Sequence, residues 1–535
     1  MSSYFKFDWV EPTDELVVAD VCVYGGTAGG VVAATTAVRL GLSVILLHPG
    51  TTLGGMTTGG LGWSDIGRPE SLGGAAKAFY REIARRRGED SEAFRFAPSE
   101  AQAVIDDWVA ESGIDWRPCQ YLDAVVCDGT RITELVAIGG LRVRARAFID
   151  ATYEGDLMAA AGARWRLGRE SNTDFNETLN GTQVHVKHQF LPATISPFIT
   201  SDDPTSGLLP GIEPGDARRR INQGDSRVQA YNFRMCLTDD PKLRVEWTKP
   251  DRYDPIDFEL VRRWFETDNK EREADSLRKG TTGDEYRDVP WKYEVLPVRT
   301  ANGGRKTDTN NHGPVSSDLV GGSQAWPTAD YVTRERIFQA HVYWQSGLYW
   351  TLAHDPRVPD IYRKAYGAWG LSKDEFQATG HWPHQLYIRE GRRLVGLTTV
   401  SEHHCLGRLV ADEPVALASY QMDSHNCSRF VAVVDGRPVV MNEGDVQTPA
   451  TGPYAIPYGS LVPELGGPTN LVVSACVSAT HIAYGSIRME PIFMALGESA
   501  ACAASLMIRD GISAQEVGYD RLRSLLEESG QVLTI

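Results

Sequence analysis

A glycine-rich turn between a short apolar strand and an alanine-rich helix constrains the fold of this chain more than any other feature. Asp20–Tyr24 predicts a buried strand, Gly25–Gly30 (GGTAGG) a sharp turn, and the following VVAATTAVRLG a helix that stops at Gly41. Ser43–Leu47 predicts the next strand. This order predicts a βαβ unit of the dinucleotide-binding kind. A pyrophosphate would lie at the helix N-terminus, because unpaired N–H groups and the helix dipole favour negative charge there.

Two residues depart from the usual G-x-G-x-x-G pattern of such a turn. Its three glycine positions hold Gly25, Thr27 and Gly30, so a threonine replaces the middle glycine. At the end of the second strand, where an acidic residue normally accepts hydrogen bonds from a ribose, stands His48. A histidine can accept only through an unprotonated nitrogen. A glycine-rich turn without a nucleotide is the alternative that the turn alone leaves open.

Three further segments are expected to share a ligand with this turn. The loop that follows the second strand (PGTTLGGMTTGGLGWSD) is too rich in glycine for a stable helix or strand, and suits close approach to a bulky flat ligand. Ala145–Asp150 predicts a strand that leads into a second contact, after a small meander that starts at Leu122. Near the C-terminus, Asn470–Ala475 predicts a strand and Cys476–Ile487 a loop, and a helix opens at Pro491.

Composition and charge narrow the class of protein. The 535 residues, 42% of them hydrophobic, suit a folded protein of several structural regions. The net charge of −16 disfavours nucleic acid and anionic membrane surfaces as partners. The eight cysteines form no CxxC pair, which disfavours a zinc ribbon and predicts free thiols in the reducing cytoplasm. The sequence contains no run of eighteen apolar residues, so no membrane-spanning helix is predicted.

These segments together resemble the FAD-dependent oxidoreductases with a glutathione-reductase-type nucleotide domain, and more narrowly a bacterial and fungal group among them. The resemblance covers nearly the whole chain and rests on the segments VYGGTAGGVVAA, LGGMTTGGLGWSDIG, FIDATYEGDLMAAAG, GRKTDTNNHG, HWPHQLYIREGRRLVG, MDSHN and SATHIAYGSIRMEPIFMALGESAACAA. It implies an α/β fold in which residues 18–167 and 451–535 form a Rossmann-type FAD domain. The middle, residues 168–450, is predicted to be an inserted mixed α+β substrate domain with loose boundaries.

The resemblance also implies one FAD per chain and a set of contact residues. The pyrophosphate contacts are Gly25, Gly26, Thr27, Ala28, Gly29 and Gly30, the ribose contact is His48 and the adenine contact is Leu122. The ribityl and flavin contacts are Gly54, Gly55, Met56 and Thr57, those that close over the nucleotide are Ala151 and Thr152, and those at the pyrimidine edge of the flavin are Ile487 and Arg488.

Oxidation by a flavin needs a carbon that gives up a hydride and a base that removes a proton. Histidine is the first candidate base, because its ordinary pKa is about 6.5. We rank His481 first for its place before the helix that is predicted to face the flavin, followed by His384 and His425. The alternative for each is a histidine with only local hydrogen bonds. Arg389, in a dense charge cluster, predicts recognition of a carboxylate or hydroxyl, with a solvated hairpin as the alternative.

Two further kinds of site are disfavoured. A metal held by His381, His384, His403 and His404 would lack a cysteine or acidic partner at helical spacing, so no metal is predicted. A covalent flavin link at His48 or Cys476 has no local signature.

The expected substrate is small and polar. The tryptophan and polar content of the middle region, and the association of the family with carbohydrate breakdown, point to an alcohol carbon of a sugar or polyol. One alternative is a flavin monooxygenase that uses NAD(P)H, although no second glycine-rich βαβ unit is present. The other is a non-catalytic FAD-binding protein, which the departures at Thr27 and His48 keep open. The electron acceptor is unknown from sequence, and an oligomer stays open.

Overall fold

The structure, a computed structural model, describes residues 2–184, 194–267, 293–311 and 315–535. His312, part of the GRKTDTNNHG segment, lies outside the described residues. The helices are α1 (Ala28–Arg39), α2 (Gly55–Thr58), α3 (Gly74–Arg87), α4 (Pro98–Ser112), α5 (Asp156–Ala160), α6 (Glu259–Glu266), α7 (Tyr331–His354), α8 (Asp360–Gly367), α9 (Glu402–Cys405), α10 (His481–Ile487), α11 (Glu490–Asp510) and α12 (Tyr519–Glu528).

The strands follow the same chain order. They are β1 (Leu16–Tyr24), β2 (Val44–Leu47), β3 (Asp115–Arg117), β4 (Leu122–Asp128), β5 (Arg131–Ala137), β6 (Arg142–Asp150), β7 (Trp165–Arg166), β8 (Ile212–Glu213), β9 (Cys236–Thr238), β10 (Arg244–Val245), β11 (Tyr293–Arg299), β12 (Arg305–Thr309), β13 (Gly370–Ser372), β14 (Arg393–Leu394), β15 (Pro414–Ala418), β16 (Met422–Ser424), β17 (Ser428–Val434), β18 (Arg437–Glu443), β19 (Val446–Thr448), β20 (Tyr454–Pro457) and β21 (Leu471–Val473).

The largest sheet has the predicted βαβ unit at its centre. Its order is β3-β2-β1-β6-β5-β4, and β21 pairs with β6. Strand β1 runs parallel to β2 and β6, and β21 runs parallel to β6, whereas β4, β5 and β6 form an antiparallel meander. Asp150 is in register with both Tyr24 and Val473. The loops after β1, β6 and β21 therefore leave the same edge of the sheet, where ligands of open α/β sheets bind. The predicted α/β class is confirmed.

Helices α1 and α11 pack against each other at very short distance. A Cβ atom added at Gly497 would lie 2.1 Å from the carbonyl oxygen of Gly29, and one added at Gly29 would lie 2.6 Å from that of Phe493. The small residues predicted to permit close packing of the C-terminal helix therefore do so at its contact with α1. This contact brings the two ends of the chain together over the sheet.

Among the described residues, α11 is long and apolar enough in composition to cross a membrane. The expectation of no membrane span rested on the lack of an unbroken run of eighteen apolar residues, whereas this helix reaches the level by its mean hydropathy. All of its most apolar window is buried inside the fold. Contacts within the protein account for its composition.

The middle of the chain contains an antiparallel sheet of order β10-β13-β9-β12-β11 and the long helix α7. The helix predicted from Tyr331 to Gly347 is confirmed and extends to His354. The strand predicted over Ala230–Leu237 is reduced to its last residues, in β9, and Gln385–Glu390 contains no strand. The latter segment makes only an isolated bridge, between Tyr387 and Asn232. The domain boundaries themselves stay predictions.

Two predicted loops contain short helices. In the glycine-rich loop, Gly54 adopts a left-handed conformation (φ 104°) and starts α2. The loop predicted over Cys476–Ile487 contains α10 in its second half, where the hydroxyl of Thr480 accepts a hydrogen bond from the N–H of Ala483. Both predictions underestimated local order, because a cap can start a helix that composition alone does not favour.

Candidate active site

The three segments predicted to share a ligand meet at the side chain of Glu490, in the first turn of α11. The hydroxyl of Thr57, in α2, donates to one carboxylate oxygen of Glu490 at 2.7 Å, and that of Tyr153, after β6, donates to the other at 2.7 Å. The Tyr153 hydroxyl also accepts from the N–H of Met56 at 2.9 Å. Burial raises the pKa of Glu490 to about 7, although the two hydroxyls act in the opposite direction.

The threonine in the glycine turn binds inward to the protein. The Thr27 hydroxyl donates to the carbonyl of Ala151 at 2.8 Å and accepts from the N–H of Gly30 at 3.1 Å. It thus caps α1 and ties the turn to the end of β6. The N–H of Gly54 donates to the carbonyl of Gly26 at 2.7 Å, which joins the turn to the glycine-rich loop.

His48, the predicted ribose contact, also binds inside the turn. Its Nδ1 accepts from the N–H of Gly26 at 3.0 Å, and its Nε2 lies 3.0 Å from the carbonyl of Thr52. These partners place the ring proton on Nε2. Burial lowers the pKa of His48 to about 4, so the ring is neutral at physiological pH. Both ring nitrogens are engaged, and the expected ribose contact has no free nitrogen here.

Leu122, the predicted adenine contact, is also engaged by the protein. Its N–H donates to the hydroxyls of Tyr331 at 2.9 Å and Tyr24 at 3.0 Å. Its carbonyl accepts from the Tyr331 hydroxyl at 3.1 Å. The Tyr331 hydroxyl therefore occupies the hydrogen-bonding groups of the Leu122 main chain that were expected to contact the adenine.

A cavity of about 410 Å³ opens beside the turn. It is lined by Ser3, Tyr4, Lys6, Trp9, Gly25, Thr27, His48, Pro49, Gly50, Thr51, Thr52, Thr152, Tyr153, Glu154, Ala378, Thr379, His384 and Gln385. Among the described residues, the buried Nε2 of His384 has no hydrogen-bond partner. Burial lowers the pKa of His384 to about 3. His384 is therefore a neutral imidazole in the wall of the cavity.

Most other predicted cofactor contacts lie within these same segments. They are Ala28 and Gly29 in the first turn of α1, Gly55 in α2, Thr152 after β6 and Ile487 at the end of α10, and all are buried.

Arg488, predicted to lie at the pyrimidine edge of the flavin, starts a buried polar cluster. Its Nη2 donates to Asp423 at 2.8 Å and its Nη1 to the Tyr387 hydroxyl at 3.0 Å. Burial opposes ionisation of Asp423, but His425 and Arg488 outweigh it and hold its pKa well below the usual range.

The predicted residues His425 and Arg389 continue this cluster. His425 Nδ1 lies 2.9 Å from Asp318, and its Nε2 lies 3.3 Å from Asp423. Arg389, with 0% of its surface exposed, pairs with Asp318 at 3.0 Å. The solvated-hairpin alternative for Arg389 is therefore wrong. The imidazole of His425 therefore lies between two carboxylates.

His481, the first-ranked base, is fully engaged. Its Nδ1 lies 2.8 Å from Glu390 and its Nε2 3.0 Å from the hydroxyl of Ser424. Its main-chain N–H donates to Glu170 at 2.9 Å. These contacts fix the start of α10 and connect it to the charge cluster that contains Arg389.

One carboxylate of this site, Asp65 at the end of the glycine-rich loop, was not among the predicted site residues. Asp65 is half-buried and accepts from the Tyr420 hydroxyl at 3.0 Å. Burial raises its pKa, and nearby Arg234 lowers it. The charge of Asp423 also raises the pKa of Asp65, and that of Arg488 lowers it. Its place two residues after GGLGW was the signal available in the sequence.

The family comparison agrees with this geometry. The pattern of the family described as FAD dependent oxidoreductase matches residues 20–526, nearly the whole chain. No curated protein matches the chain.

Solved structures match shorter parts of the chain. A flavin-containing monooxygenase from Stenotrophomonas maltophilia is 19% identical over 34% of this chain and 44% of its own, with a TM-score of 0.20. The 3-ketosteroid-Δ4-(5α)-dehydrogenase from Rhodococcus jostii RHA1 is 16% identical over 28% of this chain and 49% of its own, with a TM-score of 0.19. This chain thus spans less than half the length of each.

The family match and the meeting of its three cofactor segments at one sheet edge lead to the same conclusion. This chain belongs to the FAD-dependent oxidoreductase family, has its α/β FAD-binding fold and uses FAD as its cofactor.

Proposed function

We propose that this FAD-dependent oxidoreductase oxidises an alcohol carbon of a small polar substrate, such as a sugar or polyol. The observation that carries the proposal is the link at Glu490. This residue binds Thr57 and Tyr153 from the two other cofactor segments. Two residues before it, Arg488 begins the buried polar cluster. Cofactor segments and polar groups for a substrate are therefore joined through one short stretch of chain.

The residues present fit FAD. The cavity of about 410 Å³ is lined by Gly25, Thr27 and Thr152, three of the predicted FAD contacts, so space for a ligand lies beside the glycine turn. The turn would hold the pyrophosphate and residues 54–57 the ribityl chain, while Arg488 would meet the pyrimidine edge. When bound, FAD supplies the capacity to accept a hydride from a substrate carbon.

The polar cluster supports a substrate with several hydroxyl groups. It contains arginine donors and carboxylate acceptors close together, and a hydroxyl both donates and accepts hydrogen bonds. Charges of both signs are present in it: Arg389 and Arg488 face Asp318 and Asp423. Such a site has no strong preference for an ionic substrate. The tryptophan-rich middle region adds aromatic faces of the kind that pack on sugar rings.

Two residues are the strongest candidates for holding the proton that leaves the substrate hydroxyl. Asp65 has a pKa raised by burial, which makes it a better proton acceptor than an ordinary aspartate. His425 lies between the carboxylates of Asp318 and Asp423, at 2.9 and 3.3 Å, which fix the orientation of its ring. His481 is instead a positioning residue, because its contact with Glu390 fixes the start of α10.

The proposal is tested by anaerobic reduction of the bound flavin. Purified protein is mixed with sugars, polyols, uronic acids, amines, hydroxy acids and NADPH, and the visible flavin absorbance is followed. Bleaching by a sugar or polyol is expected. Bleaching by an amine alone would overturn the substrate class, and rapid bleaching by NADPH would favour a monooxygenase.

The roles of the two candidate bases are separated by variants. With the substrate found, Asp65→Asn and His425→Gln are each expected to slow flavin reduction by about 10²–10⁴-fold if the residue is the base. His354→Gln, at the exposed end of α7, is the matched control and should react at the wild-type rate.

We also propose a cytoplasmic location and a role in carbohydrate breakdown. All eight cysteines are free thiols, which suits a reducing compartment. Fractionation of cells followed by immunoblotting tests the location. The electron acceptor is tested by reoxidising the reduced protein with oxygen, a quinone or a carrier protein.

A further inference from the structure

We propose that the N-terminal segment, residues 3–9, forms the adenosine-side wall of the FAD site, with Lys6 and Trp9 as its contact residues. The proposal rests on the assignment of the cavity beside Gly25 to FAD. It adds to that site a part of the chain that precedes the Rossmann unit and carries none of its sequence signals.

The first observation is that the expected adenosine contacts are already satisfied by the protein. The two ring nitrogens of His48 bind Gly26 and Thr52. The N–H and carbonyl of Leu122 both bind the Tyr331 hydroxyl. Recognition of the ribose and adenine therefore has to come from other groups at the cavity.

The second observation is the position of the N-terminal segment. Ser3, Tyr4, Lys6 and Trp9 line the same cavity as Gly25 and the other residues of the turn. The segment lies outside the predicted FAD domain, which begins at residue 18. Its side chains are thus available for contacts that the βαβ unit does not make.

The segment is held in this position by hydrogen bonds to distant parts of the chain. The main-chain N–H groups of Tyr4 and Phe5 donate to Glu335, in α7, at 2.6 and 3.0 Å. The Tyr121 hydroxyl donates to the carbonyl of Tyr4 at 2.7 Å, and the Ser2 hydroxyl donates to another main-chain carbonyl at 3.0 Å. These contacts use the first residues of the segment and leave Lys6 and Trp9 for a ligand.

The chemistry of the two residues suits an adenine nucleotide. Trp9 is half-buried and offers an aromatic ring, on which a nucleobase stacks readily. The Lys6 ammonium lies 5.0 Å from the centroid of that ring. Among the described residues that line the cavity, Lys6 is the single lysine or arginine. The net charge of −16 repels a pyrophosphate from the protein as a whole, and the Lys6 ammonium offsets this repulsion at the cavity.

The acidic residue of the cavity does not oppose this role strongly. Burial raises the pKa of Glu154 to about 7, so much of it is protonated near neutral pH. A protonated carboxyl donates a hydrogen bond and does not repel a phosphate.

The test compares variants in nucleotide affinity. Apoprotein is titrated with FAD and with ADP, a probe that contains the adenosine and pyrophosphate but no flavin, and binding is followed by flavin fluorescence for FAD and by calorimetry for ADP. Trp9→Ala is expected to raise the Kd for both ligands about tenfold, the loss typical of one base–aromatic stack. Lys6→Gln is expected to weaken both and to flatten the salt dependence of binding.

Matched variants separate recognition from folding. Phe7→Ala changes an aromatic residue of the same segment that is 71% exposed and does not line the cavity, so its affinities should equal those of the wild type. Trp9→Phe keeps a ring and should retain most of the affinity even if Trp9→Ala folds poorly.

Wild-type Kd values in both Trp9→Ala and Lys6→Gln would overturn this inference. Wild-type protein that binds neither FAD nor ADP would instead overturn the assignment of the cavity on which it rests.

Discussion

At the residue scale, the two departures from the dinucleotide pattern are the parts that fasten the turn. The sequence shows that Thr27 and His48 occupy positions that usually hold a glycine and an acid. It does not show their partners, because Ala151 is remote in the chain and Thr52 belongs to an irregular loop. Pattern matching could therefore predict where the site is, but not that these two side chains bind the protein.

The role of Thr27 predicts a loss of stability in Thr27→Val. The change keeps the side-chain shape but leaves the N–H of Gly30 and the carbonyl of Ala151 without the hydroxyl that binds them. We expect the free energy of unfolding to fall by about 1–3 kcal/mol, together with weaker FAD binding. Chemical denaturation of the apoprotein measures the first effect and flavin release the second.

Thr35→Val is the control for this change. Thr35 lies in the same helix, and its hydroxyl binds only helix carbonyls, those of Val31 and Val32. It should change the free energy of unfolding by no more than about 0.5 kcal/mol. Equal effects of the two substitutions would contradict the fastening role of Thr27.

His48 predicts a specific dependence of stability on pH. Burial lowers its pKa to about 4 in the folded protein, whereas the unfolded chain takes up the proton near the ordinary value of about 6.5. Between these values the unfolded state binds more protons, so stability falls as the pH falls. The loss from this residue is about 1.4 kcal/mol per pH unit from pH about 6.5 to about 4.

His48→Gln removes this contribution and can keep one acceptor and one donor. Denaturation curves across this pH range should show a shallower acid loss in the variant than in the wild type. The exposed His354→Gln should follow the wild-type curve. Parallel curves for His48→Gln and wild type would show that His48 is not buried as a neutral ring.

At the element scale, regular periodicity was predictable and capped or irregular segments were not. The strand–turn–helix–strand order around α1 and the start of α11 follow directly from apolar runs and glycine positions. Gln385–Glu390 has the composition of a strand but ends in buried charged side chains, Arg389 and Glu390, that bind Asp318 and His481. The partners that hold it lie far away in sequence, so no local pattern could indicate them.

The close packing of α1 on α11 predicts that Gly497→Ala is destabilising. The new Cβ would lie 2.1 Å from the Gly29 carbonyl oxygen, a main-chain atom that cannot move without the helix. We expect a loss of about 1–3 kcal/mol. Because α11 carries Glu490 at its start, FAD should also bind more weakly. Thermal unfolding and FAD titration measure the two effects.

The same substitution at a spacious position provides the control. Gly367, the last residue of α8, has no atom within 4 Å of an added Cβ. Gly367→Ala should therefore be neutral or stabilise by up to about 1 kcal/mol. A loss at Gly367 as large as at Gly497 would mean that the contact with α1 does not cause the effect.

At the scale of the whole molecule, the largest sheet and the helices packed on it are assembled from both ends of the chain. Strand β21 pairs with β6, and α11 packs on α1, although more than 300 residues separate the partners. Local pattern does not determine such pairing. The family resemblance predicted it, because the match included the SIRMEPIFMALG segment. Neither local pattern nor the family resemblance predicted the partners within the polar cluster, because these depend on how the middle of the chain folds over this edge of the sheet.

Glu490 is the place where this assembly is most directly tested. It binds groups from α2 and from the loop after β6, and burial raises its pKa to about 7 from an ordinary value of about 4.5. Between these values the folded state binds the extra proton, so stability falls as the pH rises, opposite in sign to His48. The slope from this residue is about 1.4 kcal/mol per pH unit. Glu490→Gln removes this pH dependence. The free energy of unfolding of the variant should therefore rise relative to that of the wild type as the pH rises from about 4.5 to about 7. Glu527→Gln, on the exposed side of α12, is the control, and its stability relative to the wild type should not change over this pH range. If the Glu490→Gln and wild-type curves stay parallel across this range, Glu490 is not buried at a junction of the three segments, and the assembly proposed for the FAD site is wrong.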